Sequence, residues 1–144
     1  MSERDRYQPG VPCWVETLQP DPETATSFYG DVFGWEFVGP APMTGEPPGR
    51  YFVARLRGRD VAGVGSLPAG PPLHAWSTYI SVASVEEAAG RASGAGGAIV
   101  AGPLDAPRAG RLAVLADPCG ATFGLCEPHD RHGAQRVNEP SAWR

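Results

Sequence analysis

Hydrophobic positions follow a helical period near the start of the chain. Between residues 21 and 33, apolar side chains recur at spacings of three and four, which predicts a helix with one apolar stripe. Asp21 suits the N-cap, Pro22 the first helical position, and Gly34 the end of the helix. The stripe consists of Ala25, Phe28, Tyr29, Val32 and Phe33.

Short segments with strand-like patterns surround this helix, and the arrangement occurs twice. Ser84 with Glu87 three residues later forms a capping-box pattern, which predicts a second helix over 85–95. Residues 39–49 form a loop rich in proline and glycine. Each half therefore predicts strand, helix, strand, strand, strand, with strands at 13–19, 35–38, 51–56 and 61–67, then at 75–83, 98–101, 111–116 and 121–126.

The repeat predicts an α+β fold of two βαβββ modules. The modules are expected to form a curled mixed sheet around a shared cleft, with the helices outside. The predicted organisation is one domain, divided into an N-terminal arm, a first module, a second module and a C-terminal tail: 1–10, 11–67, 73–128 and 129–144.

Composition excludes several classes of function. The chain has 144 residues, a net charge of −4 and a pI near 5.3, so nucleic acid is not an expected partner. No apolar run approaches the roughly 20 residues that span a bilayer, and the N-terminus lacks an apolar signal core. We therefore expect a soluble cytoplasmic protein without a membrane partner. The three cysteines do not have the spacing of a disulfide framework or a zinc site.

Three motifs in this order resemble the vicinal-oxygen-chelate superfamily, also called the glyoxalase/bleomycin-resistance/dioxygenase fold. They are "DPETATSFYGDVFGWEF", "VASVEEAAGRASGAGG" and "LAVLADPCGATFGLCEP". "PGVPCWVETLQPD" and the tail "HGAQRVNEPSAW" look like actinobacterial glyoxalase-like proteins with tandem modules, often labelled hydroxylases. The absence of lysine and the many Gly, Pro, Ala and Arg residues also favour a GC-rich source. The resemblance implies a single-domain version that forms a homodimer.

In metal-dependent members, the resemblance implies His, Gln or Glu ligands from the first and last strands of each module. Here those positions hold Trp14, Ser77 and Gly124, and the fourth strand, "VAGVGSL", contains no acid. None of these side chains is a good donor to a divalent metal, so we expect neither a metal nor a cofactor. The three histidines, His74, His129 and His132, are expected on the surface.

Strand alternation indicates which side chains would line the cleft. The set is largely aromatic and apolar, which suits a planar or hydrophobic small molecule. Alternatively, Trp14 fills a cavity that has become a core. Gly63 and Gly65 are expected to leave space for a ligand or for close backbone approach. The predicted ligand-binding residues are Trp14, Glu16, Leu18, Tyr51, Ser77, Tyr79, Thr122 and Gly124.

Glu16 is the only acid expected on a cleft-facing strand position, so it is the candidate general acid or base, assisted by Tyr79. The alternatives are a glutamate paired with a nearby arginine, such as Arg55 or Arg111, and a glutamate that reaches solvent at the cleft mouth. Two other expectations concern packing. Cys13 should lie under a helix, and Trp76 should lie under the second helix.

Three functions remain open. The first is metal-free binding of an aromatic or hydrophobic molecule, as in sequestration or resistance to a drug, antibiotic or other natural product. The second is a cofactor-independent enzyme of secondary metabolism, hydroxylase- or lyase-like, that uses Glu16. The third is a metal-dependent glyoxalase or dioxygenase, which the missing ligands disfavour. The sequence does not decide whether the protein is an enzyme.

Overall fold

The secondary structure follows the predicted repeat. The computed structural model describes residues 6–43, 48–67, 75–106, 110–128, 133–137 and 140–142. In these residues the order strand, helix, strand, strand, strand occurs twice, which confirms the α+β class and the two βαβββ modules. The elements are β1 Pro12–Gln19, α1 Pro22–Phe33, β2 Glu36–Pro42, β3 Arg50–Leu56, β4 Arg59–Ser66, β5 Trp76–Ser81, α2 Val85–Gly94, β6 Ala98–Ala106, β7 Gly110–Ala116 and β8 Thr122–Glu127.

The described chain divides into two units. Unit 1 contains Val15–Trp76 and the residues from 134 onward, and unit 2 contains residues 6–14 and 77–133. In unit 1 the strand order is β2-β3-β4-β1, with β1 parallel to β4 and the other pairs antiparallel. Its core consists of Trp35, Ala54, Leu56, Val61 and Ala62.

Helix α1 begins and ends as its sequence predicts. Asp21 accepts a hydrogen bond from the Thr24 backbone N–H at 3.1 Å, and Gly34 ends the helix with a left-handed φ of 70°. The predicted stripe is only partly packed, however. Ala25 is buried, whereas Phe28 is 58% exposed and Val32 is 53% exposed.

Part of the predicted C-terminal tail, residues 134–137 and 140–142, packs in unit 1. The Gln135 backbone N–H donates to the Asp60 carbonyl at 2.7 Å, and the Trp35 indole N–H donates to the Ser141 carbonyl at 2.5 Å. Ala134 and Val137 are buried. These contacts join the C-terminal segment to residues from the first half of the sequence in one packed unit.

In unit 2 the strand order is β5-β8-β7-β6, with β5 parallel to β8. The Ser84 hydroxyl oxygen accepts from the Glu87 backbone N–H at 3.2 Å, so the predicted cap of α2 is confirmed. Apolar residues of α2 and two strands, β7 and β8, form the core: Val85, Ala89, Ala113, Leu115 and Leu125.

Strands β2 and β6 are longer than predicted. Each continues through a Gly-Pro step with a cis peptide bond, Gly39-Pro40 and Gly102-Pro103, where the strand register shifts. Proline is tolerated at such places because edge strands and bulges need not supply a backbone donor. The sequence pattern suggested a loop from residue 39, but β2 ends at Pro42.

Candidate functional site

In unit 1, the sheet face opposite its core carries three of the predicted site residues, Glu16, Leu18 and Tyr51. Leu18 pairs with Gly65 across β1 and β4, and Tyr51 pairs with Gly65 across β3 and β4. A Cβ at position 65 would stand 2.8 Å from Tyr51 Cδ2 and 3.0 Å from Leu18 Cδ2. The hollow above Gly65, predicted to leave space for a ligand or for close approach, is therefore filled by the chain's own side chains, with Met43 as a third.

Glu16 is buried in unit 1, with 8% of its surface exposed. The Tyr51 hydroxyl donates to Glu16 Oε2 at 2.7 Å. A short hydrogen bond to a buried carboxylate is stronger than one between neutral groups, so it fixes both side chains. The structure thus brings together Glu16 and Tyr51, two predicted ligand-binding residues that the sequence did not link.

The two arginines considered as partners of Glu16 pair with other carboxylates. Arg55 Nε contacts Asp60 Oδ1 at 2.7 Å, and Arg111 contacts both Glu86 and Asp105. The Arg111 guanidinium lowers the pKa of the Glu86 carboxyl and has its own pKa raised by that hydrogen bond. The proposed ion pair of Glu16 with Arg55 or Arg111 was therefore wrong, because strand register supplies nearer acids to both.

In unit 2, Tyr79 lies flat over Gly124. The two residues are partners across β5 and β8, and a Cβ at position 124 would overlap the tyrosine ring. Tyr79 is 5% exposed and forms a cluster with Cys13 and Cys126, against which Trp14 and Leu112 pack. Trp14, Tyr79 and Gly124, three of the predicted ligand-binding residues, therefore belong to one packed group.

Residues 6–14, which comprise the described part of the predicted arm and the start of β1, are part of this group. The Gly10 N–H donates to the Ser81 carbonyl at 2.7 Å, and the Ser81 N–H donates to the Val11 carbonyl at 2.9 Å. Tyr7 packs on the same cluster, and the Cys13 thiol donates to the Tyr79 carbonyl at 3.5 Å. The arm thus contacts the face of unit 2 that carries Tyr79.

Cys13 differs from its expected position. It packs with Tyr79 and Cys126 rather than under a helix. A hydrogen bond with the Cys126 thiol and burial both raise the pKa of the Cys13 thiol far above its usual range. A protonated, buried thiol is a poor nucleophile. The sequence analysis likewise gave Cys13 no catalytic role.

Of the other predicted positions, Ser77 on β5 and Thr122 on β8 are partly buried in unit 2. Trp76 was misplaced. It lies in unit 1, is 40% exposed, and donates its indole N–H to the Tyr29 hydroxyl at 3.1 Å beside α1. Strand alternation placed Trp76 on the face away from Ser77, but it did not indicate that Trp76 would pack beside α1 rather than α2. Pattern reasoning also missed Met43 and Tyr7, which lie outside any periodic segment.

The described residues at the ligand positions that the resemblance implies do not fit a divalent metal. The positions that the resemblance assigns to ligands hold an indole at Trp14 and a hydroxyl at Ser77, and Gly124 is covered by the Tyr79 ring. Over the ranges described, no group of three or more His, Cys, Asp or Glu side chains could hold a metal. The three histidines, at 74, 129 and 132, lie outside the described residues.

None of the helices in the described parts of the chain is long and apolar enough to cross a membrane.

Comparison with known proteins identifies relatives by sequence. Over 145 residues, the chain is 35% identical to "Putative glyoxylase CFP32" of Mycobacterium tuberculosis, covering 96% of this chain and 54% of the relative. It is 28% identical over 152 residues to "Anthracycline biosynthesis protein DnrV" of Streptomyces peucetius, covering 95% of this chain and 54% of the relative. The chain thus spans about half the length of the curated relatives it matches.

Comparison of structures supports the fold. A methylmalonyl-CoA epimerase of Streptomyces coelicolor matches with a TM-score of 0.60 at 14% identity, over 87% of this chain and 99% of that one. The family model of the Glyoxalase/Bleomycin resistance protein/Dioxygenase superfamily matches residues 14–125. The predicted resemblance is therefore confirmed: the chain belongs to the glyoxalase/bleomycin-resistance/dioxygenase superfamily.

Proposed function

We propose that this chain binds a planar, largely apolar small molecule without a metal, and that it acts by sequestration, as in resistance to a drug or natural product. The observation that carries the proposal is the Tyr79 ring lying over Gly124. The family resemblance implies a metal-ligating side chain at position 124. Here that residue is glycine, and the ring of Tyr79 occupies the space.

The chemistry around this ring supports an aromatic ligand. Trp14 and Leu112 pack on the Tyr79 cluster, so the surface offered to a ligand is aromatic and aliphatic. Aromatic rings stack on one another with about 0.5–1.5 kcal/mol beyond the effect of burial. Trp14 is only partly buried, which leaves part of its ring available for such contact.

The relatives support the choice of ligand class. One is named for anthracycline biosynthesis, and anthracyclines are planar polycyclic aromatics. A tetracyclic anthraquinone such as daunomycin is therefore a suitable first probe. The proposed assembly is a homodimer, and the proposed location is the cytoplasm.

The experiment measures probe binding by isothermal titration calorimetry for the wild type, Trp14→Ala and Trp14→Phe. We expect Trp14→Ala to weaken binding about tenfold or more and Trp14→Phe to weaken it less, because phenylalanine keeps an aromatic face. Trp76→Phe is the matched control, since Trp76 belongs to the aromatic group beside α1. Equal affinity of the wild type and Trp14→Ala would contradict the proposed site.

A second candidate function is favoured by the buried Glu16 with its Tyr51 donor. A carboxylate held by a phenol in a buried position is suited to accept and return a proton. The enzyme would then need no cofactor, with Glu16 as general acid or base. Tyr79, the assistant expected from sequence, remains a proposed participant, and Tyr51 is added as the residue that orients the carboxylate.

Recovery of the ligand separates the two functions. The probe is incubated separately with wild-type and Glu16→Gln protein and then extracted. Its mass is measured by mass spectrometry. Unchanged ligand from both proteins supports sequestration. A changed mass with wild type, but not with Glu16→Gln, supports catalysis. Native mass spectrometry of the same samples reports the homodimer and any bound divalent metal, and one metal per site would overturn the metal-free proposal.

A further inference from the structure

Helix α1 carries an exposed patch of aromatic and aliphatic side chains. Phe28 is 58% exposed, Val32, one helical turn later, is 53% exposed, and Phe33 is 37% exposed. Trp76, beside the helix in unit 1, is 40% exposed. The Tyr29 ring lies among them, with its centroid 5.1 Å from that of Phe28 and 5.0 Å from that of Trp76. These five residues form one continuous surface, the α1 patch.

The corresponding helix of the second module has an ordinary outer face. In α2, Arg91 contacts Glu87 at 3.2 Å and both side chains are exposed, while Glu86 pairs with Arg111 of β7. Charged residues thus cover α2, as is typical of a helix that faces water. Because α1 exposes aromatic residues instead, the α1 patch is not a general property of the βαβββ repeat.

The size of the α1 patch suits the apolar centre of a protein interface. If a whole aromatic side chain presents about 150–250 Å², the exposed parts of the patch amount to roughly 350 Å². A standard interface buries about 800 Å² on each partner and has an apolar centre with a polar rim. The patch would therefore supply a little under half of one side of such an interface.

The surface beside the α1 patch has the shape to receive a copy of itself. A groove of about 410 Å³ lies beside α1, lined by residues 19–21 and by Thr24, Ala25, Phe28 and Tyr29. Phe28 is both a wall of this groove and the most exposed large apolar residue in the described parts of the chain. A twofold interface uses the same patch on both copies, so a projecting ring beside a groove can pack into that groove on the other copy.

Charge favours a second copy over a lipid surface as the partner. Helix α1 contains no lysine or arginine, and Asp31 is the only charged residue from Thr24 to Phe33. A helix that binds an anionic lipid surface carries basic residues on its polar face. One charge in this stretch also leaves little repulsion between two identical patches.

We propose that the α1 patch is the contact surface of a homodimer, with Phe28 of each copy packed in the groove of the other beside a twofold axis. This inference names the surface of the homodimer included in the proposed function, and it rests on that assembly. It does not depend on which ligand the protein binds.

Sedimentation velocity of the wild type, Phe28→Glu and Val100→Glu tests the surface. We expect the wild type to be a dimer. Phe28→Glu should raise the dimer dissociation constant at least about a hundredfold, because each dimer contains the change twice. Val100→Glu is the matched control and should leave the dimer intact, since Val100 is 53% exposed on β6 of unit 2. Circular dichroism checks that each variant is folded.

A charge pair tests whether the two copies of Phe28 meet. Phe28→Glu and Phe28→Arg proteins should each be monomeric, because like charges would face each other across the axis. An equal mixture of the two should form a heterodimer at least about tenfold tighter than either variant alone, since opposite charges then meet. A mixture that remains monomeric would refute the twofold contact at Phe28.

The remaining outcomes separate this proposal from the others. A monomeric wild type would overturn both the surface and the proposed homodimer. A dimer that survives Phe28→Glu, or that Val100→Glu dissociates instead, would overturn the α1 patch alone. Calorimetric titration of the same samples with daunomycin reports ligand binding separately. If none of them binds the probe, the proposed function fails, while the dimer surface would still be established by sedimentation.

Discussion

Replacing Gly124 with alanine tests the packing that underlies the candidate site. The added Cβ would overlap the ring of Tyr79, its partner across β5 and β8. The ring is 5% exposed and packs with Cys13 and Cys126, so it cannot move aside without opening that cluster. Overpacking of this kind costs about 1–3 kcal/mol. Reduced freedom of the unfolded chain offsets about 0.4–1 kcal/mol, so we expect a net loss of about 1–2 kcal/mol.

The matched control is Gly90→Ala in the same unit. Gly90 lies in α2, and no atom stands within 4 Å of a Cβ built there. Alanine is a better helix former than glycine by about 0.5–1 kcal/mol, so this variant should gain stability. Urea unfolding followed by circular dichroism gives the free energy of unfolding of each variant.

The two glycine variants should therefore shift the urea midpoint in opposite directions. The double variant Tyr79→Ala/Gly124→Ala has no clash between the new Cβ and a ring. Its loss of unfolding free energy should therefore be smaller than the sum of the losses of the two single variants. A Gly124→Ala protein as stable as Gly90→Ala, or strictly additive changes in the double variant, would refute the placement of the Tyr79 ring over Gly124.

Three further predictions concern Tyr51, Ser84 and Cys13. Tyr51→Phe removes the donor to the buried Glu16 and should lower the free energy of unfolding by about 1–3 kcal/mol. A double-mutant cycle with Glu16→Gln should show coupling between the two residues. Additive changes in unfolding free energy would contradict the contact. Ser84→Ala removes the cap of α2 and should cost about 1 kcal/mol by urea unfolding, and no change would contradict the cap. Because the folded pKa of Cys13 is raised, its stability contribution is complete below the ordinary thiol pKa of about 8.5 and declines above it, as the unfolded thiol ionises. Cys13→Ala should flatten this alkaline decline, and an unchanged pH profile would contradict it.

Local signals in the sequence predicted the elements well, because caps and periodicity act over a few residues. Asp21, Gly34 and Ser84 have the roles expected of them. Proline and glycine misled where they occur in edge strands, since β2 continues through Gly39-Pro40 to Pro42. The helical pattern of α1 was correct, yet it did not indicate that Phe28 would remain exposed. The pattern shows which side of a helix is apolar, but not how much of that side the sheet covers.

The candidate site was harder to predict than the elements. Alternation placed Glu16 and Leu18 on one face, and in unit 1 both lie close to Tyr51, which was predicted to bind ligand without being assigned to that face. It could not show that Met43, from a loop, would contribute to the packing over Gly65. It also could not show that Cys13 of β1 would join Tyr79 and Cys126 in one cluster, because contacts between segments distant in sequence depend on packing rather than on local pattern.

In each unit a tyrosine packs over a glycine of the sheet, Tyr51 over Gly65 and Tyr79 over Gly124, but the two positions do not correspond in the repeat. Across the parallel strand pairs, Glu16 faces Gly63 in unit 1 as Tyr79 faces Gly124 in unit 2. In unit 2 the residue that faces the glycine is itself the tyrosine that covers it, so this position of the repeat holds an aromatic side chain. In unit 1 that position is a carboxylate, and a tyrosine from β3 reaches it by a hydrogen bond. The carboxylate of the proposed proton transfer therefore lies in unit 1, and the aromatic surface of the proposed binding site lies in unit 2. Loss of ligand binding in Trp14→Ala, with Glu16→Gln unaffected, is the pattern that this division predicts for a binding protein.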